Sequence, residues 1–467
     1  MFVKKIVSIG PASGKYEIVK AMAELGVNGF RINFAHGSPE EWRQYAEFVR
    51  RAESELGRPL ALIGDVQGPS IRLGEIKNPV VVKKGEVIRF VYASSTNESS
   101  PKGIPVPLRR FFEFIDVGDV IVMDDGKTRM QVIDRGPGYV EATALTDSII
   151  KSRKTLTIAG KELDIPLLSE KDKACIKFAI ENDFDYIGLS YVRAPEDVES
   201  VRELLKKYGG DSLGIITKIE TRSALKNLGD IVEVSDVVLV ARGDLGMNFG
   251  LEEIHTLQKQ VVDACLEKRT PVIVATQLLE SMVENPIPTR AEVVDVTVAI
   301  EMGVDALMLT GETSVGKYPV EAVQWLKRIA DHAETRISTF MDRIVSKARD
   351  RLEGMRLRFA KGVIELAEDL GAKLLVFSMY GKTARRIASL KPRVPIYVAS
   401  PNIRVLRKLS ILWGLNLMLV DAKSYDEGMQ KTLEKAMELG HVGYGELAVL
   451  TYGLREPRQR VEILRIE

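Results

Sequence analysis

Short apolar runs recur along this chain at strand length, each followed by a stretch whose apolar positions return every three or four residues. The runs are KIVSIG (5–10), VNGFRINF (27–34), LALIGDV (60–66), FDYIGLSYV (184–192), LGIITKIE (213–220), DVVLVARG (236–243), PVIVATQ (271–277) and ALMLTGET (306–313). Unbroken apolar strands need cover on both faces, so helices are expected around them. Start signals support this: Ser38-Pro39-Glu40-Glu41 and Ser169-Glu170-Lys171-Asp172 read as capped helix starts, with others near Pro195, Leu251, Thr289 and Pro319. Eight such units predict a parallel (β/α)8 TIM barrel. A doubly wound sheet is the alternative, because alternation alone does not show closure.

The third unit is interrupted. Its strand ends near Val66, yet its helix starts only at Ser169. The segment between alternates apolar and polar residues and carries the turn signals Asp125-Gly126 and Gly136-Pro137-Gly138. It predicts a small all-β barrel domain inserted where barrel loops build active sites, in position to act as a lid. After Arg336 a helical stretch runs to about Gly371. A second alternation follows, with KLLVFSM (373–379), PIYVAS (395–400), LNLMLV (415–420), LAVLTYG (447–453) and VEILRIE (461–467). The expected division is barrel 1–68, insertion 69–154, barrel 155–335 and a C-terminal α/β domain 336–467.

Composition acts mainly by exclusion. Of 467 residues, 66 are Lys or Arg and 65 Asp or Glu, a formal net charge of +1, and no single-sign tail occurs. That argues against a nucleic-acid or membrane-surface role. No apolar segment approaches the ~18 residues of a membrane span. The N-terminus enters a strand without a secretory signature, so a cytoplasmic protein is expected. Cys175 and Cys265 fall in separate helical patterns and are expected to stay unpaired. With four histidines in all and only His36 at a strand end, acyl transfer and zinc hydrolysis are disfavoured.

In a barrel, residues at strand C-termini share one mouth. Those ends carry Arg31, Asn33 and His36, then Asp65 and Arg72, Lys218 and Glu220, Arg242 and Asp244, Thr276 and Gln277, Thr310 and Glu312. The N-terminal halves of the strands show no comparable charge. Each residue also has a structural reading, such as an Arg31–Asp65 pair between neighbouring strands. Lys218 and Glu220, two apart, point to one face. Glu220 and Asp244 can hold one hard divalent cation through oxygen, and Lys218 beside it can neutralise a phosphoryl group in transfer. Gly243 and Gly246 in ARGDLG let backbone N–H groups approach an anion, with a helix near Leu251 adding its dipole.

Ten stretches in order carry a resemblance: SIGPAS (8–13), FRINFAHG (30–37), GDVQGPSIRLG (64–74), VMDDG (122–126), LLSEKD (167–172), TKIE (217–220), ARGDLG (241–246), ATQLLESM (275–282), PTRAEVVDV (288–296) and MLTGETSVGKYP (308–319). Across essentially its whole length the sequence resembles the pyruvate kinases. The resemblance implies transfer of the phosphoryl group of phosphoenolpyruvate to ADP, giving pyruvate and ATP in glycolysis. It implies Mg2+ (or Mn2+) on Glu220 and Asp244, and a second Mg2+ arriving with ADP. Lys218 would stabilise the transferring group, and Arg31 and Arg72 would bind phosphate oxygens. The backbone of Gly243 and Asp244 would take the carboxylate, and Thr276 would help deliver the proton. Asn33, His36, Arg72 and Lys154 would face the nucleotide, with Asp125 reaching in from the lid. A homotetramer is what the family suggests. Other readings are a different Mg2+-dependent enolate enzyme, such as an aldolase or phosphoenolpyruvate mutase, or a non-catalytic metabolite sensor.

The sequence departs from the family pattern in places. Ala35 replaces a serine, and Val66, Gln67 and Ser70 replace threonine, lysine and glutamate. Asn33, Asp65 and the Val66 carbonyl remain of the family's potassium pocket, so K+ is not expected to be required. The loop FSMYGKTARR only partly matches the family's sugar-phosphate loop. It leaves Ser378, Gly381, Lys382 and Thr383, with Arg385 or Arg386 assisting, as an expected site for a phosphorylated allosteric effector.

Overall fold

The computed structural model describes residues 2–94, 103–123, 126–163, 165–335, 341, 344, 351–453 and 460–467. Eight parallel strands form its centre: β1 (Lys4–Ile9), β2 (Gly29–Asn33), β3 (Ala61–Asp65), β4 (Tyr186–Leu189), β5 (Gly214–Ile219), β6 (Val237–Ala241), β7 (Val272–Ala275) and β8 (Ala306–Leu309). Each pairs with its neighbours in sequence, and β1 pairs with β8 from Lys4↔Ala306 to Val7↔Leu309, which closes the barrel. That last pairing excludes the doubly wound sheet. Apolar residues on both strand faces are buried between barrel interior and helices, as unbroken runs require.

The expected caps form. The Ser38 hydroxyl accepts the Glu41 N–H and the Glu41 carboxylate accepts the Ser38 N–H, opening helix Pro39–Leu56. Ser169 and Asp172 do the same for Glu170–Glu181, and Thr289 and Glu292 for Arg290–Glu301. One start differs from expectation. A helix already begins at Arg242 (Arg242–Asn248), directly on the end of β6, while Leu251–Glu253 is only a 3-10 turn leading into Ile254–Lys268. Burial of Arg242, Leu245 and Met247 overrides the weak helix propensity of Gly243 and Gly246.

The insertion forms a seven-stranded sheet in the order Ile71–Arg72, Thr155–Ile158, Val120–Met123, Thr128–Gly136, Tyr139–Ala144, Val87–Tyr92, Ile104–Val106. It has its own core, including Phe90, Phe111, Ile121, Met130 and Leu156. Its first and last strands pair with each other (Thr155↔Arg72), so the chain leaves and rejoins the barrel at one place beyond β3. Asp125 lies outside the described residues.

The C-terminal sheet holds β9 (Lys373–Phe377), β10 (Ile396–Ser400), β11 (Leu415–Leu419), β12 (Leu447–Thr451) and β13 (Val461–Arg465), in the order β11-β10-β9-β12-β13 with β13 antiparallel. It docks under the barrel, and here one expectation fails. The N-terminal ends of the strands do carry charge: Lys4, Lys5, Asp185 and Asp305 are all buried there. Lys4 and Asp305 bind the C-terminal domain, and Asp185 pairs with Arg50 of helix Pro39–Leu56 (2.8 Å). Lys391 Nζ lies 2.5 Å from Asp305, Lys4 Nζ donates to the Leu415 carbonyl (2.6 Å), and the Tyr186 hydroxyl donates to the Lys408 carbonyl (2.7 Å). Both cysteines are buried and unpaired. Among the described residues no helix is long and apolar enough to cross a membrane.

Candidate active site

The barrel mouth is organised around Asp65. Its carboxylate accepts Arg31 Nε (2.7 Å) and Nη2 from β2, and Lys218 Nζ from β5 lies 2.9 Å from its other oxygen. Burial would raise this carboxyl, but Arg31 and Lys218 more than offset it and hold it below the usual range. Room for the carboxylate comes from β4, where a Cβ on Gly188 would stand 2.6 Å from Asp65 Oδ1. The Arg31–Asp65 pair expected as a structural alternative therefore exists, yet both residues also line the mouth cavity.

Lys218 Nζ donates to Ser190 Oγ (2.9 Å) and lies 3.8 Å from Glu220 Oε1. Glu220 is buried and its Oε2 accepts the Tyr191 N–H at 2.9 Å. Burial first, then the Asp244 carboxylate, push the Glu220 carboxyl up to about 8, against the pull of Lys218. Two neighbouring acids, Glu220 buried and Asp244 partly so, suit a shared cation. Among the described residues no cluster of three or more His, Cys, Asp and Glu is arranged to hold a metal. A Glu220–Asp244 pair is a donor set that Mg2+ could use, since that ion takes one or two carboxylates and completes its shell with water and substrate oxygens.

These groups line a cavity of about 430 Å3 together with Asn33, Ala35, His36, Val66, Gln67, Ser70, Arg72, Lys154 and Met247. Burial, then Arg72 and Arg31, lower the His36 imidazole below its ordinary value, which favours its neutral form. Gly243 and Thr276 do not line the cavity; next to the lining residue Asp244, the Thr276 hydroxyl accepts the Gly243 N–H at 2.9 Å. That amide therefore has a partner already, where the sequence suggested it would face a carboxylate. Ser190, Tyr191, Ser152 and Arg153 line the cavity and were not singled out from sequence. Ser190 and Tyr191 close the run FDYIGLSYV, so the criterion applied to the other strand ends would have found them.

Other strand-end residues turn inward. Arg242 is buried against Asp295 and the Thr276 and Gln277 carbonyls. Glu312 is fully buried and accepts the Leu279 and Thr310 N–H groups. In the C-terminal domain, Gly381 precedes helix Lys382–Ser389, but Ser378 is buried and Thr383 Oγ1 donates to the Tyr452 carbonyl (3.1 Å). The two arginines expected to assist are engaged: Arg386 with Glu353 (2.7 and 2.9 Å) and Arg385 with the Asp236 carbonyl.

A (β/α)8 barrel whose capped mouth sets Arg31, Arg72, Arg153, Lys154 and Lys218 around the carboxylates of Asp65, Glu220 and Asp244 is an enzyme for multiply charged anions. Comparison with known proteins narrows this class. The family model for the pyruvate kinase barrel domain matches residues 2–323, and that for the pyruvate kinase alpha/beta domain matches residues 358–467. A pyruvate kinase of Pyrobaculum aerophilum is 42% identical over 457 residues, 97% of this chain and 94% of that protein. One from Aeropyrum pernix is 38% identical over 433 residues, 93% and 92% of the two chains. The crystal structure of the Pyrobaculum aerophilum pyruvate kinase superposes with a TM-score of 0.84 at 39% identity, covering 99% of each chain. The chain belongs to the pyruvate kinase family, the phosphotransferases that form pyruvate and ATP from phosphoenolpyruvate and ADP.

Proposed function

We propose that the mouth cavity carries out this transfer with the residues as follows. Arg31 and Arg72 bind the phosphate of phosphoenolpyruvate, and Asn33, His36 and Lys154 face the nucleotide. The substrate carboxylate seats against the backbone of Gly243 and Asp244, beside the Thr276 hydroxyl that already accepts the Gly243 N–H. Glu220 and Asp244 would hold Mg2+ or Mn2+, which when bound supplies positive charge to the carboxylate, enolate and phosphoryl oxygens. In the transfer the bond from phosphorus to the enol oxygen breaks as one to a β-phosphate oxygen of ADP forms. Lys218 offsets the charge on the group between them. The enolate then takes a proton at its methylene carbon, delivered by Thr276 through water. The observation that carries this reading is Lys218 Nζ lying 2.9 Å from Asp65 and 3.8 Å from Glu220 at the cavity wall. An aldolase or mutase would need no nucleotide side. Pyruvate formation from phosphoenolpyruvate that requires both ADP and a divalent cation is the test, and ADP-independent product would exclude the reading.

Potassium is expected to be dispensable. The three oxygens left of the family's pocket already accept protein donors. Asn33 Oδ1 takes the Ala35 N–H (3.0 Å), the Val66 carbonyl takes the Ser190 hydroxyl (3.1 Å), and Asp65 takes Arg31 and Lys218. Gln67 Nε2 donates to Ser70 Oγ (3.1 Å), so the positions that lost their charges satisfy one another. Initial rates with Mg2+ saturating and KCl replaced by a tetraalkylammonium salt should stay within about threefold, and a rise of tenfold or more on adding K+ would refute this. A place in glycolysis and a homotetramer, drawn from the family, are further parts of the proposal, as are cytoplasmic location and a phosphorylated allosteric effector at Ser378, Gly381, Lys382 and Thr383, drawn from the sequence.

A further inference from the structure

Two successive residues beyond β7 have backbones that side-chain-bearing residues avoid, Thr276 at φ 70° and Gln277 at φ 52°. Thr276 is β-branched, which makes the left-handed region still less tolerable. Such a conformation persists only where its surroundings over-determine it. Here one side chain does so. Arg242, 5% exposed, donates from Nε (3.1 Å) and Nη2 (2.8 Å) to the Thr276 carbonyl and from Nη2 (2.8 Å) to the Gln277 carbonyl. Its Nη1 is anchored 2.6 Å from Asp295 Oδ2 on helix Arg290–Glu301. Strand register makes this possible: Ala241 pairs with Ala275, so Arg242 and Thr276 leave the barrel side by side. The turn in turn sets the Thr276 hydroxyl on the Gly243 N–H. A hydroxyl that accepts there keeps its own proton to donate.

We propose that Arg242 is a positioning residue for the proton-transfer half of the reaction, its guanidinium clamping the left-handed Thr276–Gln277 turn that seats the Thr276 hydroxyl. The inference rests on the role given to Thr276 above. In that step the electron pair of the enolate's carbon–carbon double bond forms the new C–H bond, and solvent replaces the proton given up. Arg242 touches no reacting atom. A planar fork spanning two carbonyls is what lysine cannot reproduce, so charge alone does not explain the residue.

By microscopic reversibility, an enzyme that protonates the enolate also exchanges the methyl protons of pyruvate with solvent. That exchange is read by NMR in D2O with Mg2+ and ATP. Arg242→Gln should slow it about a hundredfold, with affinity for phosphoenolpyruvate changed less than about threefold. Adding Gln277→Gly, whose backbone adopts positive φ freely, should recover about tenfold. Exchange within threefold of the unaltered protein, or no recovery in the double variant, would overturn the proposal. If Arg242→Gln does not fold, Asp295→Ala, which removes only the outer anchor, should slow exchange about tenfold, and an unchanged rate there counts equally against the clamp. Should the unaltered protein form no pyruvate, the parent reading fails, and the clamp is judged separately. Hydrogen exchange of the Gly243 amide should quicken about tenfold in either variant, and an unchanged rate would refute it.

Discussion

Lys218→Ala is expected to lower kcat by about three orders of magnitude or more, with KM for phosphoenolpyruvate and Mn2+ binding changed only a few-fold. In the resting site the ammonium is shared among Asp65, Ser190 and Glu220. None of these contacts uses the charge as strongly as a phosphoryl group in transfer would, when negative charge accumulates between donor and acceptor. Interactions that strengthen only at that point appear in kcat rather than in KM. The fold should tolerate the change, because Asp65 keeps Arg31 as a partner and is not left as an unpaired buried charge. Steady-state kinetics and a thermal unfolding scan on the same sample test both halves. Near-normal turnover in a folded variant would remove Lys218 from the mechanism.

The second large effect concerns Glu220. Its carboxyl is raised to about 8 by burial and by Asp244, so at pH 7 it holds a proton when no cation is present. A divalent ion must displace that proton. Mg2+ affinity should therefore rise with pH up to about 8 and level off above it, and binding at pH 7 should release close to one proton. The sign for stability follows. Between the ordinary value of 4.5 and about 8 the folded, metal-free protein binds more protons than the unfolded chain, so its stability falls as pH rises through that window. Mg2+ should reverse this by stabilising the charged carboxylate, giving a larger shift in Tm at pH 8 than at pH 6. Glu220→Gln should weaken divalent-cation binding by about a hundredfold and abolish the proton release. Calorimetry in two buffers of different ionisation enthalpy measures both quantities. Metal binding at pH 7 without proton release would show that the Glu220 carboxyl is already ionised there, and unchanged binding in Glu220→Gln would remove it as a ligand.

Much of this molecule was legible in one dimension because the physics that sets it is local or periodic. Strand-length apolar runs alternating with helical ones gave the eight units, since a strand buried on both faces has no other stable neighbour than a helix. Ser38, Ser169 and Thr289 announced their helices because a cap is a contact three residues long. Lys218 and Glu220 could be set on one face by the two-residue period of a strand, and the ten family stretches carried the chemistry.

What the sequence could not supply are facts about partners distant along the chain. Closure of the barrel rests on β1 meeting β8 about three hundred residues away. The charges under the strands looked absent because Lys4 and Asp305 acquire meaning only against Leu415 and Lys391 of another domain. Arg242 read as a mouth residue from its place after β6, and only the side-by-side exit of β6 and β7 turned it inward onto two carbonyls. The left-handed backbones of Tyr191, Thr276 and Gln277 have no local signal, because none is glycine or asparagine. Their strain is sustained by tertiary hydrogen bonds, and such bonds form only once the barrel has brought its strand ends together.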